Sequence, residues 1–512
     1  MPTYVSPGAY VAERDFSLYV PALATSTFAV VGSASKGPMD TPTLITDQAS
    51  LEATFGPASV DHLGLHAAVR YLRRGNSLLF VRVGTYNTAA DSLTIQDAAA
   101  LGTAMTVAPT STGTWANAVS VVVTAGSDLA SSYRITVRQT VNSIVYTMES
   151  YDNVLVGTAN AASTNFAETR INGVSDMITV SCQTIYATLL AGTSSFAGGD
   201  DGAPVDNSDI VGSVGTPPTV PATGLQTLAN PETLDVNIVA VPGYSNNTII
   251  AALLSLCTSR ADCIALMAPP YGKSVQEAVD WHNGTGGGAG EPTAALNSSY
   301  GATYYPWLEV FDGASNSNVW IPPEGHVAAV MAYTDLVADP WWAPAGLNRA
   351  LLVDVLDIEH SATQGERNWM YSFGNAVNPI CNYQGQGYTI WGQRTLQRAP
   401  TALDRVNVRR LMCYMEKIIA TAVRYLVFEP NDEITWARFV NLVSPVCRTI
   451  KNRRGLYDFR VICDATTNTA VVINRNEMVG KILLQPTKTA EMISIEFVLT
   501  PSGASFDEFV AA

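Results

Sequence analysis

Strand-then-helix alternation runs through residues 27–83 of this 512-residue chain, stops, and resumes near residue 227. In the first stretch "TFAVVG" and "TPTLIT" read as strands, "LGLHAAVRYLRRG" as a helix ending on Gly75, and "SLLFVRV" as a buried strand. In the second, "LDVNIVAVPGY", "NTIIAALLSLCTSR" and "CIALMAPP" repeat the pattern, and "GHVAAVMAYTDL" continues it as a helix. Residues 88–205 differ. They are rich in Thr, Ser, Ala and Val, with alternating runs such as "VSVVVTA", "YRITVRQ" and "DMITVSC", which is the period of half-buried strands. A β-rich module is therefore expected between two halves of one α/β core.

The remaining segments follow from the same reading. Residues 1–25 form an extended N-terminal arm, because Pro2, Pro7, Gly8 and Pro21 break any helix. The core takes 26–87 and 227–390, the inserted module 88–205, and a Gly/Pro/Thr linker 206–226. Residues 391–500 form a C-terminal α+β domain. It holds a long amphipathic helix across 403–428, a second helix across 435–455 interrupted at Pro445, and strands in "LYDFRVICDA", "EMVGKILLQP" and "MISIEFVLTP". In the last of these Ile493, Ile495, Phe497 and Leu499 share one face. Residues 501–512 form a short C-terminal arm. The fold class is thus multidomain α/β and α+β, with a discontinuous core.

Charge is uneven. Residues 1–390 carry 13 Lys/Arg against 32 Asp/Glu, and residues 391–464 carry 13 against 7, on a chain of net charge −15. The basic zone could meet nucleic acid or an acidic protein, or pair with the chain's own acidic part, and the last is favoured. Only 14% of residues are charged and 47% are hydrophobic, which suits a subunit largely covered by partners or, alternatively, an enzyme with a large core. Seven irregularly spaced cysteines without CxxC point to reduced thiols and cytosolic synthesis. Neither a secretory leader nor a membrane-spanning run is read in the chain, so membrane insertion is not expected.

Several motifs imitate catalytic or ligand sites. Gly32 and Gly37 stand as in a phosphate loop, but Pro38 and Met39 occupy the places of the lysine and the magnesium-binding hydroxyl. Gly272-Lys273-Ser274 has the right ending with Met267 where the earlier glycine belongs. His62 and His66 lie at i, i+4 without a third ligand, and Asp200, Asp201, Asp206 and Asp209 miss the calcium-loop spacing. The arginines of 438–454 lack the interleaved aromatics of a single-strand groove, so nucleic acid is not expected. No cofactor, metal or catalytic residue is assigned, and the chain is expected not to be an enzyme.

In order along the chain, "YVSPGAYVAERDFS", "TSTFAVVGSASKGPMDTPTLIT", "PTSTGTWANAVSVVV", "GGDDG", "VPGY", "VWIPPEGHVAAVMAYTD", "WWAPAG" and "WGQRTL" resemble the tail sheath proteins of contractile-tailed bacteriophages. The "GTGGGAG" loop, the polar linker and Trp391 depart from the family pattern. The resemblance implies a helical polymer around an inner tail tube, contracting to drive that tube through the host envelope for genome delivery. It implies the virion tail as location, assembly in the host cytoplasm, and as partners further copies of itself, the tail tube protein, and baseplate and tail terminator proteins. It also implies terminal arms that complete the sheets of neighbours. Tyr10, Val11, Glu13 and Phe16, with Phe506 and Phe509, are the candidate arm residues, and Ile493, Ile495, Phe497 and Leu499 the acceptor strand. Arg438, Arg448, Lys451, Arg453 and Arg454 are the candidate tube-facing residues. A phage-tail-like injection particle and, more remotely, an α/β hydrolase are the alternatives.

Overall fold

The computed structural model describes residues 25–84, 92–141, 143–183, 188–216 and 219–495. The chain divides into two compact units, residues 1–429 and 430–512.

The first unit opens with β1 (Phe28–Gly32), β2 (Thr43–Ile45), α1 (Gln48–Phe55), α2 (Leu63–Leu72) and β3 (Leu78–Arg82). Helix α1, which hydrophobic periodicity did not reveal, starts where the Asp47 carboxylate accepts the Ser50 N–H. The chain then forms the inserted module from β4 (Leu93–Gln96), β5 (Thr103–Pro109), β6 (Val119–Ala125), β7 (Tyr133–Val141), β8 (Ile144–Val154), α3 (Ala167–Ile171), β9 (Ile178–Cys182) and β10 (Gly192–Ser195). Its two antiparallel sheets, ordered β4-β5-β9 and β10-β6-β7-β8, enclose a separate core around Met105, Val121, Ile135, Phe166 and Ile178. Alternation along β6, β7 and β9 turns every second apolar side chain to this core.

The core then resumes with α4 (Asn207–Val211), β11 (Ile238–Ala240), α5 (Asn247–Arg260), β12 (Ile264–Met267), α6 (Val275–Asn283) and β13 (Gly301–Tyr305). A small antiparallel sheet follows, β14 (Leu308–Asp312), β15 (Ser317–Ile321) and β16 (Asp357–Ile358), with α7 (Glu324–Val337) between its last two strands. Helix α8 (Gln364–Met370), β17 (Val377–Tyr383), β18 (Gly387–Ile390) and α9 (Val406–Val423) complete the unit.

One eight-stranded sheet, β18-β17-β13-β12-β11-β1-β3-β2, spans both halves of the sequence. Its middle six strands are parallel and its two edge strands antiparallel. The expected discontinuous core is therefore one sheet. Phe28 and Val30 face a core shared with α2 and α7, while Ala29 and Val31 face the core of α5. Burial on both faces explains why β1 reads as an unbroken apolar run and β3 as one broken only by Arg82.

Two segments differ from expectation. Residues 206–226 are not a bare linker: α4 opens with a capping box of Asp206 and Asp209, and Ile210 and Leu225 are buried beside α5. Helix α9 belongs to the first unit, where Arg410 pairs with Asp335 at 2.6 Å and Lys417 pairs with Asp235.

The second unit contains α10 (Glu433–Asn452), β19 (Leu456–Ile462), α11 (Ala470–Asn474) and β20 (Lys481–Pro486). Helix α10 is not interrupted at Pro445. The proline lies on the exposed face, where water can satisfy the carbonyl that its missing N–H leaves unpaired. Trp436, Phe439, Val443, Cys447 and Ile450 form the buried stripe, and α10 packs on β19. β19 and β20 form an antiparallel hairpin, the only sheet among the described residues of this unit.

Candidate functional site

The run from β1 through the loop after it decides the nucleotide question. From β1 the chain steps one way to β3 and later the other way to β11, and such a reversal is where α/β sheets commonly bind ligands. The loop bordering this position turns its carbonyls onto a cation of the chain itself. Arg82, at the end of β3, is 0% exposed. Its Nε donates to the Ala34 carbonyl (3.0 Å), Nη1 to Gly37 (2.7 Å), and Nη2 to Ser35 (3.4 Å) and Thr112 (3.1 Å). A phosphate loop presents N–H groups; this one presents oxygen.

Thr112 belongs to the inserted module, so the guanidinium joins module to core. Further bonds follow from the motifs noted in the sequence. Gly37 N–H donates to the Ser111 hydroxyl (3.0 Å), and the Lys36 ammonium lies 5.8 Å from the Trp115 ring centre. Burial lowers the Lys36 pKa, and the carboxylates of Asp176 and Glu149 oppose that shift. Asp201 accepts from both the backbone and the hydroxyl of Thr114 (2.7 and 2.5 Å), while Asn117 and Gly199 exchange two hydrogen bonds (2.8 and 2.9 Å). Gly113, at φ +128°, approaches so closely that a Cβ would stand 2.7 Å from the Ser35 carbonyl. Residues 35–37, 111–117 and 199–201 thus form a single hub. Sequence reasoning quoted all three motifs but missed Arg82; its signal was a lone arginine within an otherwise apolar strand.

The other imitations also resolve into internal contacts. Lys273 pairs with Glu291 at 2.8 Å, and Glu291 accepts from Gly288 N–H within the glycine-rich loop (3.3 Å). The His62 ring meets the Ser33 hydroxyl at 2.9 Å, and His66 is buried. Asp200 accepts from Gly202 N–H, and Asp206 and Asp209 cap α4. Among the described residues no group of three or more His, Cys, Asp or Glu could hold a metal ion, and all seven cysteines are free and buried.

The basic zone splits at the unit boundary. Upstream, Arg394 and Arg405 pair with Asp404, Arg410 with Asp335, Lys417 with Asp235 and Arg424 with Glu232. This is the self-pairing that the charge balance suggested. Downstream, Arg438 and Arg448 lie on the exposed side of α10, and Lys451, Arg453 and Arg454 are exposed at its end. Lys451 also reaches Asp458 at 2.8 Å. Ile493 and Ile495 are 80% and 73% exposed and lie in no strand, whereas Phe497 and Leu499 fall outside the described residues. Tyr10, Val11, Glu13, Phe16, Phe506 and Phe509 are likewise outside them.

Comparison with known proteins gives two adjoining family matches. Residues 205–396 match the phage tail sheath protein central domain and residues 398–500 the phage tail sheath C-terminal domain, together more than half of the chain. The tail sheath protein of Vibrio phage KVP40 is 32% identical over 305 residues, covering 56% of this chain and 45% of that protein. That of Enterobacteria phage T4 is 30% identical over 294 residues, covering 55% and 44%. The chain therefore spans less than half the length of these two curated relatives. Among solved structures, the sheath tail protein of Listeria innocua superposes with a TM-score of 0.59 at 11% identity, covering 91% of this chain and 96% of that one. The contracted sheath of an extracellular contractile injection system gives 0.55 at 17% identity, covering 98% and 99%. With both sheath domains in succession on one polypeptide, this chain belongs to the tail sheath protein family.

Proposed function

We propose that the chain is the repeating structural subunit of a contractile tail sheath. Copies polymerise head to tail into an open helix around a tail tube, and shortening of that helix drives the tube through a host envelope for genome delivery. The observation that carries this reading is the ordered match to the central and C-terminal sheath domains. The hub at Arg82 fits a load-bearing role and gives no support to a hydrolase: the loop next to the sheet's reversal point is spent on internal contacts. The likeness to an injection-system sheath favours, as a second reading, a phage-tail-like particle built from the same kind of subunit.

The connections between copies are assigned to the chain ends. Residues 10–16 and 502–509 supply strands, and the hairpin β19–β20 with the segment 493–499 receives them. Two observations support this. A two-stranded hairpin is marginal alone, and among the described residues neither strand has a second partner. Ile493 and Ile495 also stand in solvent within one chain. An added strand would pair the open backbone edge and cover such side chains. Arg438, Arg448, Lys451, Arg453 and Arg454 are assigned to the tube-facing surface. Baseplate and terminator proteins would meet the ends of the polymer, in the virion tail.

The test is assembly. The full chain is expected to form long striated tubes in negative stain, and removal of residues 1–20 and 501–512 is expected to leave it unpolymerised. Normal tubes from the doubly trimmed chain would overturn the strand-exchange assignment. A full chain that stays monodisperse under all assembly conditions would overturn the sheath reading.

A further inference from the structure

Three arginines stand within five residues at the end of α2, although residues 1–390 hold only 13 basic side chains. Arg70, Arg73 and Arg74 line a cleft of about 10 Å³ with His326, Ala329 and Val330 of α7 and with Leu352 and Val353. Their charges are not fully met inside the chain. Arg73 pairs with Asp354, and Arg70 Nη2 donates to the Phe311 carbonyl at 2.8 Å. Arg74 stacks on Tyr333, 4.8 Å from the ring centre, and among the described residues no carboxylate pairs with it. His326 is 4% exposed; the Val353 backbone bears on its ring, but neither ring nitrogen makes a well-formed hydrogen bond, and the buried Arg70 Nε has no partner. Buried donors of this kind are uncommon without a ligand or water to accept from them.

We propose that this cleft is an oxyanion-binding site that receives the side-chain carboxylate of a second copy of the chain. The inference rests on the sheath reading for the source of that carboxylate. Three observations favour this occupant. The cleft has room for about one water-sized atom, which suits a carboxylate oxygen better than a whole tetrahedral phosphate. The chain carries 32 Asp/Glu in residues 1–390, so a carboxylate is the charged group one copy most readily offers another. The neighbouring residues Leu351, Val353 and Leu356 are exposed and apolar, and a partly desolvated arginine cluster with apolar surroundings is what copy-to-copy interfaces favour. Burial pushes Arg70 down to about 10 and also lowers Arg73 and Arg74, and an incoming anion would relieve that cost. The charged groups bearing on the cleft are these three arginines, His326, Asp354 and, toward Arg70, Asp312.

The test has two arms on the full chain. In the first, sodium acetate is titrated against sodium chloride at matched ionic strength, with protein held below its polymerising concentration. Wild type is expected to show a saturable rise in melting temperature of about 1–2 °C, absent in Arg74→Gln. In the second, Arg74→Glu is expected to raise the concentration at which tubes form by about tenfold or more, while Arg74→Lys stays within about threefold of wild type. Melting curves of each variant without acetate show that it is folded. No acetate effect in wild type overturns the site. Acetate protection with unchanged assembly of Arg74→Glu overturns the second copy as occupant. Wild type that never polymerises overturns the sheath reading and with it this occupant, leaving the acetate arm to judge the cleft by itself.

Discussion

At the scale of single residues, two buried ionisable groups dominate the first unit. Arg82 satisfies carbonyls of Ala34, Gly37 and Thr112 that have been removed from water. Arg82→Leu leaves them unpaired and is expected to cost about 3–5 kcal/mol, read as a lower urea midpoint. Arg82→Lys keeps the charge but not the planar fork, so it should recover only part of the loss. A midpoint unchanged by Arg82→Leu would contradict the hub. Glu324 opens α7 fully buried, and burial lifts its carboxyl from 4.5 to about 8. The unfolded chain releases this proton above about pH 4.5, while the folded chain keeps it to about pH 8. Its contribution is therefore complete below pH 4.5 and lost as pH climbs to 8. His326 and His282 run the other way: burial lowers them from 6.5 to about 3 and 4, so they remove stability as pH falls below 6.5. Glu324→Gln should flatten the alkaline decline, changing the gap to wild type by on the order of 2–4 kcal/mol between pH 5 and 8. Parallel urea-midpoint curves would refute this.

At the scale of elements, α2 and α7 come backbone to backbone at Gly325. A Cβ on Gly325 would fall 2.5 Å from both the Cα and the carbonyl oxygen of Ala67. Since the obstacle is backbone, Gly325→Ala must push the helices apart, and a loss of about 1–3 kcal/mol is expected in chemical denaturation. Elements with strong local signals were legible: β1, β3, α2, α5, α7 and α9 follow from apolar periodicity and caps. What was not legible has physical reasons. β13 is only Gly301–Tyr305, and β17 carries Asn378 and Pro379, residues that read as breakers although the parallel sheet buries both. α4 hid in a stretch whose Gly and Pro content imitates a linker, and its clearest cue was Asp206 placed three residues before Asp209. Pro445 was read as a break because the sequence does not state that it faces water. The hub was half legible: its glycines, Trp115 and Asn117 stood out, but their meeting with residues 35–37 is a tertiary fact.

At the scale of the whole molecule, the charge balance was legible as a sum and misleading as a location. A net +6 zone at 391–464 divides into arginines and lysines paired within the first unit and exposed ones in the second. The second group is the one proposed to meet an external partner. Individually such exposed contacts contribute roughly 0–1 kcal/mol, so their effect must be collective and salt-sensitive. Reversing Lys451, Arg453 and Arg454 together to Glu should reduce sheath assembly on tail tubes and remove most of its salt dependence, measured by co-sedimentation. Unaltered binding across salt concentrations would send the tube-facing surface elsewhere.

The shared guanidinium of Arg82 has one more consequence. Because it grips the strand loop of the core and Thr112 of the insert at once, a tug on the insert is felt at the central strands without passing through a slack tether. A fluorophore or affinity handle grafted onto the β7–β8 hairpin of that insert would therefore follow the core to which the insert is pinned, not the wobble of a loosely hung ornament.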